Sequence, residues 1–375
     1  MKNFNSGTYI KQGSYKSFQP ENLNRPWVID NMEVLELLGK ADRHLGRLDM
    51  YSEYIPNIDL FINMHVFKEA TQSSKIEGTQ TNIEEALLDE EDVPVEKRDD
   101  WKEVRNYTEA MNTAIGSLEE LPFSSRLIKE THRILLQGAR GKHKQPGEFR
   151  TSQNWIGGSN INNATFIPPV HQTIGELMGD LENFAHNSEL HFPELLKIAL
   201  IHYQFETIHP FLDGNGRVGR LMITLFLVER KILKRPVLYL SDYLEKHRSD
   251  YYDYLMVVRS ENDIAGWFKF FLTGIIETAK NGVETFDKIL QLQREVTEQL
   301  KTLGGRSVNA QKVVDELYRN PITNAEQVKE ITGLTKPSVY TLIKELENLG
   351  ILREVTGAKR GRVYFFDQYL NLFRS

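Results

Sequence analysis

Apolar residues recur along most of the chain at three- and four-residue spacing, the period of an amphipathic helix. Between residues 31 and 88 the pattern is carried by Val34, Leu37 and Leu38, then by Leu60, Phe61, Met64 and Phe67. It resumes over 101–118 and 124–136, and predicts further helices at 171–184, 193–208, 217–231 and 251–272. A long helical linker is expected over 274–303. Residues 1–30 show no period and read as an irregular arm. The acidic run 89–100 holds Pro94 and reads as a connecting loop. Segment 147–170 breaks the helical pattern with Gly157, Gly158, two prolines and the β-formers Trp155, Ile156, Phe166 and Ile167. It is expected to form a hairpin or flap.

From Ser307 the pattern changes again. Helices are expected at 310–318, 324–331 and 336–349, with a turn at 332–335 between the last two. Two strands, 350–355 and 362–366, would flank Lys359-Arg360-Gly361. That order resembles a winged helix-turn-helix. The expected fold is therefore mostly α, with a small β-hairpin flap and a C-terminal α+β winged module. Four regions follow: a helical N-terminal region (1–100), a core (101–273), a helical linker (274–306) and the winged-helix-like domain (307–375).

Composition narrows the function classes. The 375 residues include no cysteine, which excludes disulfides, thiolate metal sites and a cysteine nucleophile. The first residues lack the apolar run of a signal peptide, and no stretch is apolar enough to span a bilayer. The expected location is cytoplasmic, with no membrane partner. Net charge is −6, against nucleic-acid binding by the whole chain. Residues 307–375 alone carry ten Lys/Arg and eight Asp/Glu, a net of +2, leaving −8 for the rest. DNA contact would be local to that module, through a third helix exposing Lys336, Ser338, Tyr340, Thr341 and Lys344 and through the basic wing. Many such modules bind only proteins.

The densest chemistry lies between His209 and Arg220. A helical pattern ends at His209, Pro210 and Gly214 break regular structure, and a new helix starts near Gly216 or Arg217. A Gly-Asn-Gly turn feeding a helix N-terminus is an anion site, since first-turn N–H groups and the helix dipole face outward. Glycine lets the backbone approach a phosphate closely. Arg217 and Arg220 lie three apart on one helix side and can fork onto phosphate oxygens. Asp213 offers a hard carboxylate suited to Mg²⁺, and His209 is a titratable base. Cradle, charge clamp, metal and base are the parts of phosphoryl or nucleotidyl transfer. Individually these residues read otherwise: a terminal histidine as a cap, Asp213 as an N-cap, the arginines as surface ion pairs. His191, His202 and His209 do not have the spacing of a zinc site.

The string His209-Pro-Phe-Leu-Asp-Gly-Asn-Gly-Arg-Val-Gly-Arg220 resembles the Fic signature H-P-F-x-[DE]-G-N-G-R-x-x-R at every specified position. The resemblance implies a protein AMP-transferase, moving AMP from ATP to a Ser, Thr or Tyr hydroxyl and releasing pyrophosphate. By that resemblance His209 would deprotonate the target hydroxyl and Asp213 would hold Mg²⁺. Gly214, Asn215, Gly216 and Arg217 would bind the α- and β-phosphates, and Arg220 the γ-phosphate. Tyr252, rather than its neighbour Tyr251, would line the adenine pocket. Relatives transfer other phosphate-containing groups; the complete G-N-G-R-x-x-R favours AMP. The alternative is a DNA-binding regulator or toxin-type module whose core is vestigial or differently specific.

Ser73-Ser-Lys-Ile-Glu77-Gly78 resembles the family's inhibitory motif [ST]-x-x-x-E-[GN]. Ser73 and Glu77 share a helix face, and Gly78 is a natural stop. The resemblance implies that Glu77 pairs with Arg220 and removes it from the γ-phosphate. Residues 147–151, 155–158 and 166–169 resemble the family's flap, which would pair main chain to main chain with the target protein. Self-modification and a homodimer are also expected.

Overall fold

The expected arm is a β-hairpin. In the computed structural model, which describes residues 4–55, 58–138 and 144–374, strands β1 (Gly7–Gln12) and β2 (Tyr15–Pro20) pair antiparallel, Gln12 facing Tyr15 across a Gly13-Ser14 turn. Gly13 takes φ 60°, the left-handed value that glycine adopts without strain. Residues 1–3 lie outside the described chain.

The helical pattern of 31–88 resolves into three helices: α1 (Met32–Tyr54), α2 (Ile58–Ile76) and α3 (Ile83–Leu87). Asn31 caps α1 by accepting from Val34 N–H, and Asn82 with Glu85 forms a capping box on α3. The acidic loop that follows carries two short 3₁₀ turns before α4 (Arg98–Ser117), which starts three residues earlier than its periodicity suggests. Next come α5 (Ser125–Leu135), α6 (Ile174–His186), α7 (Glu194–Ile208) and α8 (Asn215–Glu229).

Helices α7 and α8 form the buried centre, and several of their polar residues find partners there. His202 donates from Nδ1 to Gly219 O and accepts from Tyr251 Oη. Gln204 donates to Glu21 O, and Thr207 accepts from Arg259. The expected helix over 251–272 is two. Helix α9 (Ser241–Lys246) leads to α10 (Arg248–Glu261), which stops where Asn262 turns left-handed at φ 61°. Asp263 then caps α11 (Ile264–Lys301), a 38-residue helix that continues through the expected boundary at 273/274 and packs along α1.

After α12 (Ser307–Arg319), the strand β3 (Ile322–Asn324) precedes α13 (Ala325–Thr332) and α14 (Lys336–Asn348). Gly333, at φ 69°, makes the turn between these two helices. Two short strands, β4 (Arg353–Glu354) and β5 (Val363–Phe365), join β3 in an antiparallel sheet ordered β3-β5-β4. The short helix α15 (Asp367–Leu370) closes the chain. Both β3 and α15 are additions to the sequence reading. Tyr318, Tyr369 and Phe373 pack against Phe61 and His65, which holds the first half of α2.

Segment 147–170 is a loop closed by one β-bridge, Ile156 to Phe166, not by two regular strands. Gly157 and Gly158 both take φ 69° and leave no room for a Cβ against Thr165 and Asn163. Phe18 N–H donates to Ile167 O at 2.9 Å, so the base of the flap is already paired with the N-terminal hairpin.

Candidate active site

Helix α7 ends in a left-handed residue, His209 at φ 49°, whose N–H still bonds Phe205 O. That reversal throws the chain into the turn 210–214, and Gly214 at φ 75° starts α8. Asn215 fastens the turn: its amide donates to Phe211 O at 2.9 Å and accepts from Phe211 N–H at 2.8 Å. Both ends of the Asn215 side chain are thus committed to the loop, and what remains for an anion there is main-chain N–H at the helix start.

Three residues outside the signature brace the loop. His132 of α5 stacks on Phe211 at 3.7 Å, with its Nε2 donating to Asp213 O and its Nδ1 accepting from Gly147 N–H. Arg150 is buried and gives its guanidinium to four carbonyls, of His209, Ser152, Pro169 and Ile208. Asn154 donates to Phe211 O at 3.0 Å. Burial pulls the Arg150 guanidinium down to about 10, which leaves it charged at neutral pH. Each of these three ties the flap to the turn after His209.

The histidine itself is held neutral. Burial first, then the charges of Arg150 and Arg259, hold His209 down to about 4, with Glu77 pulling weakly the other way. Its Nδ1 is buried without a hydrogen-bond partner. Asp213 lies at the lip with 46% of its side chain exposed, its Oδ1 accepting from Gly214 N–H. Among the described residues no three His, Cys, Asp or Glu gather as a metal cage.

The two arginines have different surroundings. Arg217 lies 3.4 Å from Glu103 and 3.7 Å from Asp213, and its Nε has no partner. Arg220 is enclosed, and the Nε and Nη2 edge of its fork is engaged by the end of α2 and the residue just beyond it. Its Nε donates to Ser73 Oγ at 2.9 Å, and its Nη2 to Ser73 O at 2.8 Å and Glu77 Oε1 at 2.7 Å. Burial acts to raise the Glu77 carboxyl, but the Arg220 charge and hydrogen bond, with Arg217, bring it below the usual carboxylate range. A Cβ on Gly216 would meet Glu77 Oε1 at 2.2 Å, so the glycine that would admit a phosphate here admits Glu77. Gly78, at φ 105°, lets the chain leave α2 just beyond.

Glu206, also outside the signature, is buried one helical turn before His209. Burial pushes it up to about 7, against the pull of Arg220. Gly219 makes the space for its carboxyl. The two tyrosines separate: Tyr251 is buried on His202, whereas Tyr252 is 39% exposed and lies within the field of Arg220 and Glu77. His191, His202 and His209 do not converge as a metal site. Contact order explains why His132, Arg150 and Glu206 escape a sequence reading: each is an ordinary helix or loop residue whose partners lie elsewhere in the chain.

Comparison with known proteins gives the family of the chain. Residues 35–116 match the Fic/DOC family N-terminal model and residues 122–227 the Fic/DOC family model, together half of the chain. A protein adenylyltransferase Fic of Aedes aegypti is 34% identical over 38% of this chain and 26% of its own length. One of Drosophila melanogaster is 28% identical over 59% of this chain and 44% of its own. The chain therefore spans less than half the length of these curated relatives. A Fic family protein from Desulfovibrio desulfuricans G20 shares the fold with a TM-score of 0.59 at 19% identity, over 91% of this chain and 98% of that one. The Fic-1 structure from C. elegans gives 0.54 at 21% identity, over 69% and 74%. With both domain matches and the full signature in place at 209–220, the chain belongs to the Fic/DOC family.

Proposed function

We propose that the protein transfers AMP from ATP to a hydroxyl of a protein and is held in check by its own α2. The observation that carries this reading is the loop after α7, where a neutral buried histidine faces a helix N-terminus bearing two arginines. His209 takes the proton of the target hydroxyl. The freed oxygen attacks the α-phosphorus, a new P–O bond forms, and the bond to the β-phosphate oxygen breaks as pyrophosphate leaves. First-turn N–H groups of α8 and the Arg217 guanidinium hold the α- and β-phosphates. Arg220, once free of Glu77, grips the γ-phosphate and sets the chain of phosphates in line.

One exposed carboxylate fits Mg²⁺, because that ion takes most of its ligands from phosphate and water rather than from protein. Asp213 would hold it, and the bound ion would neutralise phosphate charge. Tyr252 is the candidate adenine neighbour. The flap presents its main chain to the target, and its fixed base at Phe18 supports strand addition on the free side.

For residues 307–375 we read a winged helix: α13 and α14 as the helix-turn-helix, β4 and β5 as the wing. Helix α14 buries Val339, Leu342, Ile343 and Leu346 and turns Lys336, Ser338, Tyr340, Thr341 and Lys344 outward. That face suits duplex DNA.

The enzymatic reading is tested by label transfer in the presence of magnesium. Label should pass to protein from α-labelled but not γ-labelled ATP, and His209→Ala should abolish it. Transfer of γ-label, or undiminished transfer without His209, would contradict the proposal.

A further inference from the structure

The acidic loop between α3 and α4 faces the C-terminal module. Asp89, Glu90, Glu91 and Asp92 form one wall of a cleft of about 1070 Å³, and Lys336, Tyr340, Lys359, Arg360 and Arg362 lie on the other. The cations are exposed, at the start of α14 and at the hairpin joining β4 to β5. Lys336, Lys359 and Arg360 line the cleft opposite the loop with their side chains exposed. Glu90 is fixed from behind by Lys102 at 2.8 Å, and Trp101 Nε1 donates to Leu88 O, which anchors the loop to α4.

We infer that loop 89–92 is an intramolecular mask over a DNA-binding face, a polyanion of the chain's own standing where the phosphates of a duplex would run. This rests on the reading of 307–375 as a DNA-binding module and adds its regulation. The physical case is one of charge and place. A duplex presents about one phosphate charge per 1.7 Å of its axis. To seat α14 in the major groove, the flanking phosphates must come against Lys336 and the wing cations, inside the cleft. There they meet four carboxylates within a single loop. The module's own charge is only +2, so four opposing charges exceed its surplus. Weak or absent DNA binding by the intact chain is then the expected resting state, and release of the loop is what exposes the face.

The test uses the full chain and a fluorescent mixed-sequence DNA duplex, followed by anisotropy across a salt series. Four forms are compared: the unaltered chain; a loop variant with Asp89→Asn, Glu90→Gln, Glu91→Gln and Asp92→Asn; a charge control with Glu119→Gln, Glu120→Gln, Glu189→Gln and Glu261→Gln, all exposed and outside the cleft; and the loop variant carrying Lys359→Ala and Arg360→Ala. The loop variant should bind at least about tenfold more tightly at low salt, with the gain shrinking as salt rises. The charge control should gain far less, and loss of Lys359 and Arg360 should remove the gain. Equal affinity of the loop variant and the charge control would overturn the mask while leaving DNA binding intact. No binding by any form would overturn the DNA reading itself, and the mask with it.

Discussion

Glu77, the residue just past α2, and Arg220 of α8, 143 residues apart in sequence, meet at 2.7 Å in an ion pair whose arginine is buried and whose carboxylate is a third exposed. Ser73, one turn before Glu77, accepts from Nε of the same guanidinium through its hydroxyl and from Nη2 through its carbonyl. With Nε and Nη2 committed in this way, only Nη1 is left for a phosphate oxygen. The contact sits against Gly216, at the N-terminus where the phosphates would lie.

Ser73→Ala removes the acceptor of Arg220 Nε but leaves the Glu77 contact. A hydrogen bond to a charged group contributes about 1.5–3 kcal/mol. Transfer should therefore rise partway, less than on removing Glu77, and melting should fall by a few degrees. Unchanged transfer in this variant would mean that Glu77 alone sets the latch.

Arg150→Lys should loosen the flap. Lysine keeps the charge but cannot reach the carbonyls of His209, Pro169 and Ser152 from one planar fork. A loss of about 2–4 kcal/mol on chemical unfolding is expected, since buried carbonyls lose their donors. Hydrogen exchange should accelerate at 149–154 and 208–211 before the rest of the core. Uniform acceleration would argue against a local clasp.

Folding stability should fall as the solution is made acidic. His65, His132, His202 and His209 are held down, chiefly by burial, to about 3, 4, 3 and 4. Below the ordinary histidine value the unfolded chain takes up protons that the folded chain refuses. Each such site costs about 1.4 kcal/mol per pH unit until its folded pKa is reached. Glu206, raised to about 7, acts oppositely and offsets part of this, as does the raised Glu69. Burial also raises Asp42 and Asp180, from a lower ordinary value, and lowers His44; the lowered histidines still outnumber the raised carboxyls, so the melting temperature should drop between neutral pH and about pH 5. A constant or rising melting temperature would contradict the burial of these rings as neutral groups. The same low value for His209 keeps it deprotonated at neutral pH, so transfer should show no acid limb at the ordinary histidine pKa.

The loop at 209–220 was legible because its chemistry is local: each specified residue type is needed at its own position, and the turn is punctuated by Pro210 and Gly214. The helices were legible from periodicity, apart from their breaks. Asn262 and Asp263 end one helix and cap the next, a signal hidden inside an unbroken apolar period. The N-terminal hairpin was missed because β1 is almost wholly exposed and shows no alternation. Its one local sign is the Gly13-Ser14 turn. Arg150, His132 and Glu206 were out of reach for a different reason. Arg150 bonds a carbonyl 59 residues away, His132 one 81 away, and Glu206 depends on the missing side chain of Gly219. Glu77 was visible only through its resemblance to a known motif, since nothing local distinguishes it from a surface glutamate.

The most direct measurement is the rate of label transfer from α-labelled ATP by the Glu77→Gly chain. If the glutamate withholds Arg220 from the nucleotide, that rate should exceed the unaltered chain's by about tenfold or more, the worth of one charge-assisted hydrogen bond. It should return to background when His209→Ala is added. A rate equal to or below that of the unaltered chain would contradict the latch, and a rate insensitive to His209 would contradict the site.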